Sequence, residues 1–111
     1  MLVLDANILI RGVLGQRVRS LLIKYGRRIE FFSPDVVGDL IQIVEGNTYA
    51  AFETVSRRRL VGRDVDDWPV LATALALHCP IWTEDTDFFG CGVATWTTDL
   101  VELYLGEAMP E

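Results

Sequence analysis

Apolar positions recur along this chain with two different periods. Leu2, Val3 and Leu4 form an unbroken apolar run that stops at Asp5, the pattern of a short strand buried on both faces. From Ile8 the spacing becomes helical, through Leu9, Val13, Leu14, Val18, Leu21, Leu22 and Tyr25. Gly12 and Gly15 divide this stretch into two helices and Gly26 closes the second. Glu30-Phe-Phe32 reads as the second strand. Ser33-Pro34-Asp35 then opens a helix with a capping hydroxyl, a proline at the first helical position and an early acid. Its apolar stripe is Val36, Val37, Leu40, Ile41, Ile43 and Val44. Gly46-Asn47 marks a turn, and Thr48 to Arg59 reads as a helix carrying Tyr49, Phe52 and Val55 inward. The loop from Gly62 to Pro69 leads into a helix from Val70 to His78. Pro80 to Trp82 and Val93 to Trp96 read as strands. Asp99 and Glu102 have the spacing of a capping box for a last helix, Leu100 to Leu105, ended by Gly106.

Strands alternate with helices, which predicts the α/β class, a central, mostly parallel sheet sandwiched by helices in three layers. Residues 1–106 are expected to form one domain, with 107–111 a loose tail. No repeat, linker or low-complexity tract divides the chain.

Composition narrows the function classes. Half of the 111 residues are hydrophobic, so the chain is expected to fold around a real core. No apolar run approaches the ~18 residues of a membrane span, and Met1 leads directly into a strand, so the protein is expected to be cytoplasmic. Cys79 and Cys91 have no metal-ligand spacing and read as small buried thiols. His78 sits near a helix C-terminus, where a favourable dipole contact is enough to explain it. A net charge of −6 disfavours gripping nucleic acid by bulk electrostatics. It leaves open an enzyme whose carboxylates hold divalent metal.

The acids carry the candidate chemistry. Right-handed crossovers place every strand-to-helix loop on one edge of a parallel sheet, the edge where ligands bind. Asp5, the Asp64-Val-Asp66-Asp67 loop and the Asp85/Asp87 loop then converge there. Asp39 would hang above them from its helix. At 1.5 Å per residue Asp39 lies roughly 9 Å from the helix start and Glu45 about 18 Å, so depth selects Asp39. Clustered carboxylates need cations, and oxygen-only ligands select Mg²⁺ or Mn²⁺. Metal-assisted phosphodiester hydrolysis fits such a site. Competing phosphate chemistries fit less well. There is no P-loop or G-x-G-x-x-G. Asn7 stands where a haloacid-type phosphatase wants a second Asp, and Lys24, the single lysine, is far from the late strand where a receiver domain needs one.

Four blocks together resemble those of PIN domains. They are Leu2-Val-Leu-Asp-Ala-Asn7, then Ser33-Pro34 with Asp39, then Asp67-Trp-Pro-Val-Leu-Ala-Thr-Ala74, then Trp82-Thr-Glu-Asp85 with Asp87-Phe88. No block is specific alone, but their order and spacing cover the chain from Met1 to about Leu105. The resemblance is to short prokaryotic PIN proteins of the VapC toxin type and implies a PIN-like fold and a magnesium- or manganese-dependent endoribonuclease. It would make Asp5, Asp39, Asp67 and Asp85 the catalytic metal carboxylates, with Asp87 an assisting metal ligand. Asn7 and Thr83 would be supporting groups. Asp39 stands where the family usually has the longer Glu. Asp67 is preferred over Asp64 and Asp66 because Ala72-Thr-Ala74 follows it.

The same resemblance implies RNA as substrate, a cognate antitoxin lying over the acidic groove, and a homodimer. Arg57, Arg58, Arg59 and Arg63 form a basic patch in an acidic protein. They read either as a solvated helix end or as contacts to an RNA backbone. A non-catalytic PIN-like module that binds protein or RNA is the alternative, and retention of four acids favours the enzyme.

Overall fold

A computed structural model describes residues 1–5, 8, 16–26, 29–34 and 41–107. Its elements in chain order are β1 (Leu2–Leu4), α1 (Gln16–Tyr25), β2 (Phe31–Ser33), β3 (Ile41–Ile43), α2 (Gly46–Tyr49) and α3 (Glu53–Arg59). They continue with α4 (Trp68–Leu77), β4 (Ile81–Trp82), β5 (Thr95–Trp96) and α5 (Val101–Glu107). Short 3₁₀ turns at Ala50–Phe52, Val65–Asp67 and Thr86–Phe88 lie between them. The strands form one sheet in the order β3-β2-β1-β4-β5, and every pair is parallel. The class is α/β, as the alternation predicts.

Strand pleating feeds two cores from the same short strands. Leu2, Leu4, Phe31 and Trp82 face one side, where α1 contributes Val18, Leu21, Leu22 and Tyr25, and α5 adds Val101 and Leu105. Val3, Phe32 and Ile81 face the other, against Leu60 and the Val70, Leu71 and Ala74 face of α4. Two faces covered by helices make the three layers, and explain why β1 is apolar at every position rather than alternating. Trp82 and Phe31 are fully buried, with ring centroids 6.3 Å apart and tilted by 52°, a geometry aromatic pairs favour.

The strand order also fixes where a ligand belongs. The chain moves outward from β1 through β2 to β3, then returns to place β4 on the other side of β1. The loops after β1 and β4 therefore separate in opposite directions and leave a crevice beyond their carboxyl ends. Asp5 follows β1 directly and Thr83 follows β4 directly.

The structure corrects the reading of the second quarter of the chain. Ile41–Ile43 is not the end of a helix but an edge strand, paired Phe31 to Ile41, Phe32 to Gln42 and Ser33 to Ile43. Its β-branched residues suit the pleated surface better than a helix. A short apolar run of this kind fits either period until a neighbouring strand is present. The depth comparison between Asp39 and Glu45 loses its premise, since no helix joins them. Asp39 and Asn7 lie outside the described residues. Gly46-Asn47 is not a turn but the start of α2, with Glu45 as its N-cap. The helix expected from Thr48 to Arg59 is interrupted by the 3₁₀ turn. Glu102 does not serve a local capping box: its carboxylate accepts from Arg17, Lys24 and the Tyr25 hydroxyl, at 3.0, 2.8 and 2.7 Å. Cys79 and Cys91 are buried and form no disulfide. No helix among the described residues is long and apolar enough to cross a membrane.

Candidate active site

The site is built outward from β1. Leu4 is fully buried and the chain carries that burial one residue further, so Asp5 is only 4% exposed. Its backbone N–H is bound by the Trp82 carbonyl at 3.1 Å, which ties it to the β4 side of the crevice. A buried carboxylate needs donors. Thr83, itself fully buried, supplies one: its Oγ1 donates to Asp5 Oδ2 at 2.8 Å.

The same hydroxyl serves the next loop. Thr83 Oγ1 accepts the Asp85 N–H at 2.9 Å, and Asp85 Oδ1 accepts the Asp87 N–H at 2.9 Å, closing the 3₁₀ turn. Asp5, Thr83 and Asp85 thus form one continuous hydrogen-bonded chain. Glu84 turns away, accepting the Thr98 N–H with Oε1 at 2.6 Å. It is a brace for the loop before α5.

The third acid comes from the loop before α4. Asp64 is the cap there: its carboxylate accepts the Asp66 N–H at 3.2 Å. Asp67 occupies the N-cap position of α4 but makes no side-chain cap bond. Capping therefore does not account for Asp67. Burial, with the charges of Asp64, Asp5 and Asp85 and a hydrogen bond shared with Asp64, pushes its carboxyl up to about 7. Asp67 thus feels Asp5 and Asp85 from a different loop. Thr73, from the Ala-Thr-Ala run, faces inward and donates to the Pro69 carbonyl at 2.7 Å. It shapes the first turn of α4 and is not a site group.

The basic patch divides. Arg57 pairs with Glu53 at 2.8 Å and lies 5.3 Å from the Trp68 ring centroid. Arg59 donates to the Cys91 carbonyl at 3.2 Å. Arg63 donates to the carbonyls of Asp87 and Phe89 at 2.9 and 2.5 Å. Arg58 is exposed. Sequence reasoning missed the loop-holding role of Arg59 and Arg63, and nothing local in the sequence signals it. Gly92 came closest: its φ is +94°, and a Cβ there would stand 2.7 Å from Arg59 Nη1.

A model of the PIN domain matches residues 35–106, more than half of the chain. The chain belongs to the PIN-domain family. Members of this family are typically nucleases and generally use divalent metal ions, so this PIN protein has a nuclease-type function. The matched span contains the Asp67 and Asp85 blocks; Asp5 precedes it and is joined to the Asp85 loop through Thr83. No curated protein and no solved structure gives a significant match.

The residues suit a hard divalent cation. The donors are carboxylate oxygens, and the Asp67 carboxyl is raised first by burial and then by neighbouring negative charge, which a cation would offset. Among the described residues no group of three acids is placed to close round one ion.

Proposed function

We propose that this PIN protein is a Mg²⁺- or Mn²⁺-dependent endoribonuclease, and the toxin component of a type II toxin–antitoxin module. The observation that carries the catalytic reading is the Asp5–Thr83–Asp85 chain at the crevice between β1 and β4, with Asp67 coupled to it electrostatically. Asp5, Asp67 and Asp85 are the proposed ligands, and since they do not close round one ion as they stand they would have to draw together on binding it, with Asp39 and Asp87 as further candidates. When bound, it would activate water and offset charge on the phosphodiester.

The chain's own groups do the positioning. Thr83 fixes the Asp5 carboxylate and, with the same oxygen, fixes the start of the Asp85 loop. Both acids thereby keep their orientation without needing the substrate to order them. Burial and the neighbouring acids raise the Asp67 carboxyl, and positive charge beside it would act in the opposite sense. Asn7 is proposed as a supporting polar group. Arg57 and Arg58, on the exposed end of α3, are the proposed phosphate contacts for RNA. A cognate antitoxin is proposed to cover the acidic edge, and the working form is proposed to be a homodimer.

The test is cleavage of a mixed structured RNA with Mg²⁺ or Mn²⁺, beside EDTA and Asp5→Asn. Metal-dependent cutting that Asp5→Asn abolishes supports the reading. Cutting that survives EDTA, or survives Asp5→Asn at wild-type rate, removes it. Absence of cutting with retained Mn²⁺ binding favours the non-catalytic module instead.

A further inference from the structure

The two acid-bearing loops are joined by more than the sheet. Arg63 immediately precedes Asp64 and lies in the loop that presents Asp67. Its guanidinium crosses to the other acid-bearing loop and donates Nη1–H bonds to the carbonyls of Asp87 and Phe89. The first carbonyl lies within the 3₁₀ turn Thr86–Phe88 and the second directly follows it, and the Asp87 N–H of that turn is bound by the Asp85 carboxylate. From Asp85 the connection runs through the Thr83 hydroxyl to Asp5.

We infer that Arg63 is a positioning residue for the acidic site, a latch that holds the Asp64–Asp67 loop against the Asp85–Phe89 loop. It acts through backbone carbonyls and not by touching RNA. The inference rests on the nuclease reading only for its catalytic consequence; the latch itself is a property of the two loops.

Three features argue for this role over an RNA contact. Two carbonyls accept from one guanidinium nitrogen, an arrangement that suits the rigid planar fork of arginine. Asp87 sits in a single 3₁₀ turn and Phe89 just past it, and Arg63 gives both carbonyls a donor that backbone groups in so short a turn do not have to supply. Arg59 adds a parallel tie two residues beyond Phe89 in the same loop, at the Cys91 carbonyl. The backbone there takes left-handed turns beside the two arginines, with close approach at Gly92 and ordinary contact at Gly90. Gly90 has φ of +81°, and a Cβ on it would meet Arg63 Nη2 at 3.5 Å, while Gly92 leaves room for Arg59. A loop carrying carboxylates that repel those opposite gains from such ties, since nothing in the charges alone would keep the loops together.

The test compares Arg63→Ala and Arg63→Lys with the wild type in three measurements. These are amide hydrogen exchange at residues 85–91, Mn²⁺ affinity by calorimetry, and kcat and KM for RNA cleavage across a salt series. The latch predicts faster exchange at residues 85–91 and weaker Mn²⁺ binding in Arg63→Ala. It also predicts kcat lower by about 10- to 100-fold, the scale of a loss of positioning, with KM and its salt dependence little changed. Arg63→Lys keeps a donor and a long stem and is expected to fall between. A phosphate contact predicts the opposite split: KM rises, the salt slope falls by about one, and exchange stays as in the wild type. That result overturns the inference. Should Arg63→Ala fail to fold, Arg63→Lys decides alone, since unchanged exchange and Mn²⁺ affinity in it also overturn the latch. If the wild-type protein cuts no RNA, the nuclease reading fails while exchange and Mn²⁺ binding still judge the latch.

Discussion

The Thr83 hydroxyl stands 2.8 Å from Oδ2 of Asp5, joining residues 78 positions apart at the two strand ends that flank the crevice. One oxygen there does two jobs, donating to Asp5 and accepting from the Asp85 N–H. Thr83→Val keeps the shape and removes both bonds. It is expected to destabilise the fold by about 1–3 kcal/mol, because a buried acceptor and a donor lose their partner. Metal affinity and cleavage should fall about 10- to 100-fold, as for loss of a group that orients a ligand. Thr83→Ser should recover most of both. Thermal melts with Mn²⁺ titration check this, and a Val variant with wild-type metal affinity would remove Thr83 from the site.

Asp67 gives the site a pH dependence. Its carboxyl is raised from 3.8 to about 7. Between those values the folded protein keeps a proton that the unfolded chain has released. Stability in metal-free buffer should therefore fall as pH rises across that window. Asp67→Asn should flatten this segment of the melting-temperature profile. Divalent binding competes with the same proton, so affinity should weaken as pH drops below about 7. A profile unchanged by Asp67→Asn would show that another group titrates there.

Glu102 predicts acid sensitivity of the opposite sign. Its hydrogen bond from Lys24, then that from Tyr25, lowers its carboxyl from 4.5 to about 2. This contribution is present above 4.5 and is lost as pH falls toward 2. In Glu102→Gln the acid limb of the melting curve should be shallower between those values, with α5 held less firmly to α1. High salt should shrink the difference, since the pairs are partly exposed.

His78 ends α4 with φ of 54° and ψ of 48°, and is the non-glycine residue with positive φ among those described. It is exposed. A left-handed conformation costs an ordinary side chain roughly 1–2 kcal/mol, and glycine avoids this at some cost in unfolded-state entropy. His78→Gly should thus stabilise the protein by about 0.5–1 kcal/mol without altering cleavage. Denaturant unfolding measures it. A loss of stability would mean the imidazole makes a contact that outweighs the strain.

The site was legible in the sequence where an acid directly follows an apolar strand. Asp5 directly after Leu4 is such a position, because a buried strand that stops at a carboxylate has few other uses for it; Asp85 lies three residues past Trp82, with Thr83 and Glu84 between. The spacing of Asp64, Asp66 and Asp67 could not rank the three. In the structure Asp64 is the cap, while Asp67 makes no cap bond and is raised by burial and the neighbouring charges. The Ile41–Ile43 strand was misread because β-branched runs satisfy either period, and only pairing with β2 selects one. The arginines were ambiguous for a similar reason: a cation near a helix end has the same appearance whether it faces solvent, RNA or a distant carbonyl.

Alternation of apolar runs and amphipathic stretches by itself determined an α/β protein with a parallel sheet, since strands without polar faces must be covered on both sides. It also determined which edge the acids share, because crossovers have one hand. Strand order was a tertiary decision. The chain's return across β1 made the crevice and brought Thr83 to Asp5, and that contact depends on packing 78 residues apart in sequence. The tie from Arg63 to the Asp85–Phe89 loop is of the same kind. Local sequence sets what each segment prefers; which distant carbonyl a guanidinium reaches is set only once the core has closed.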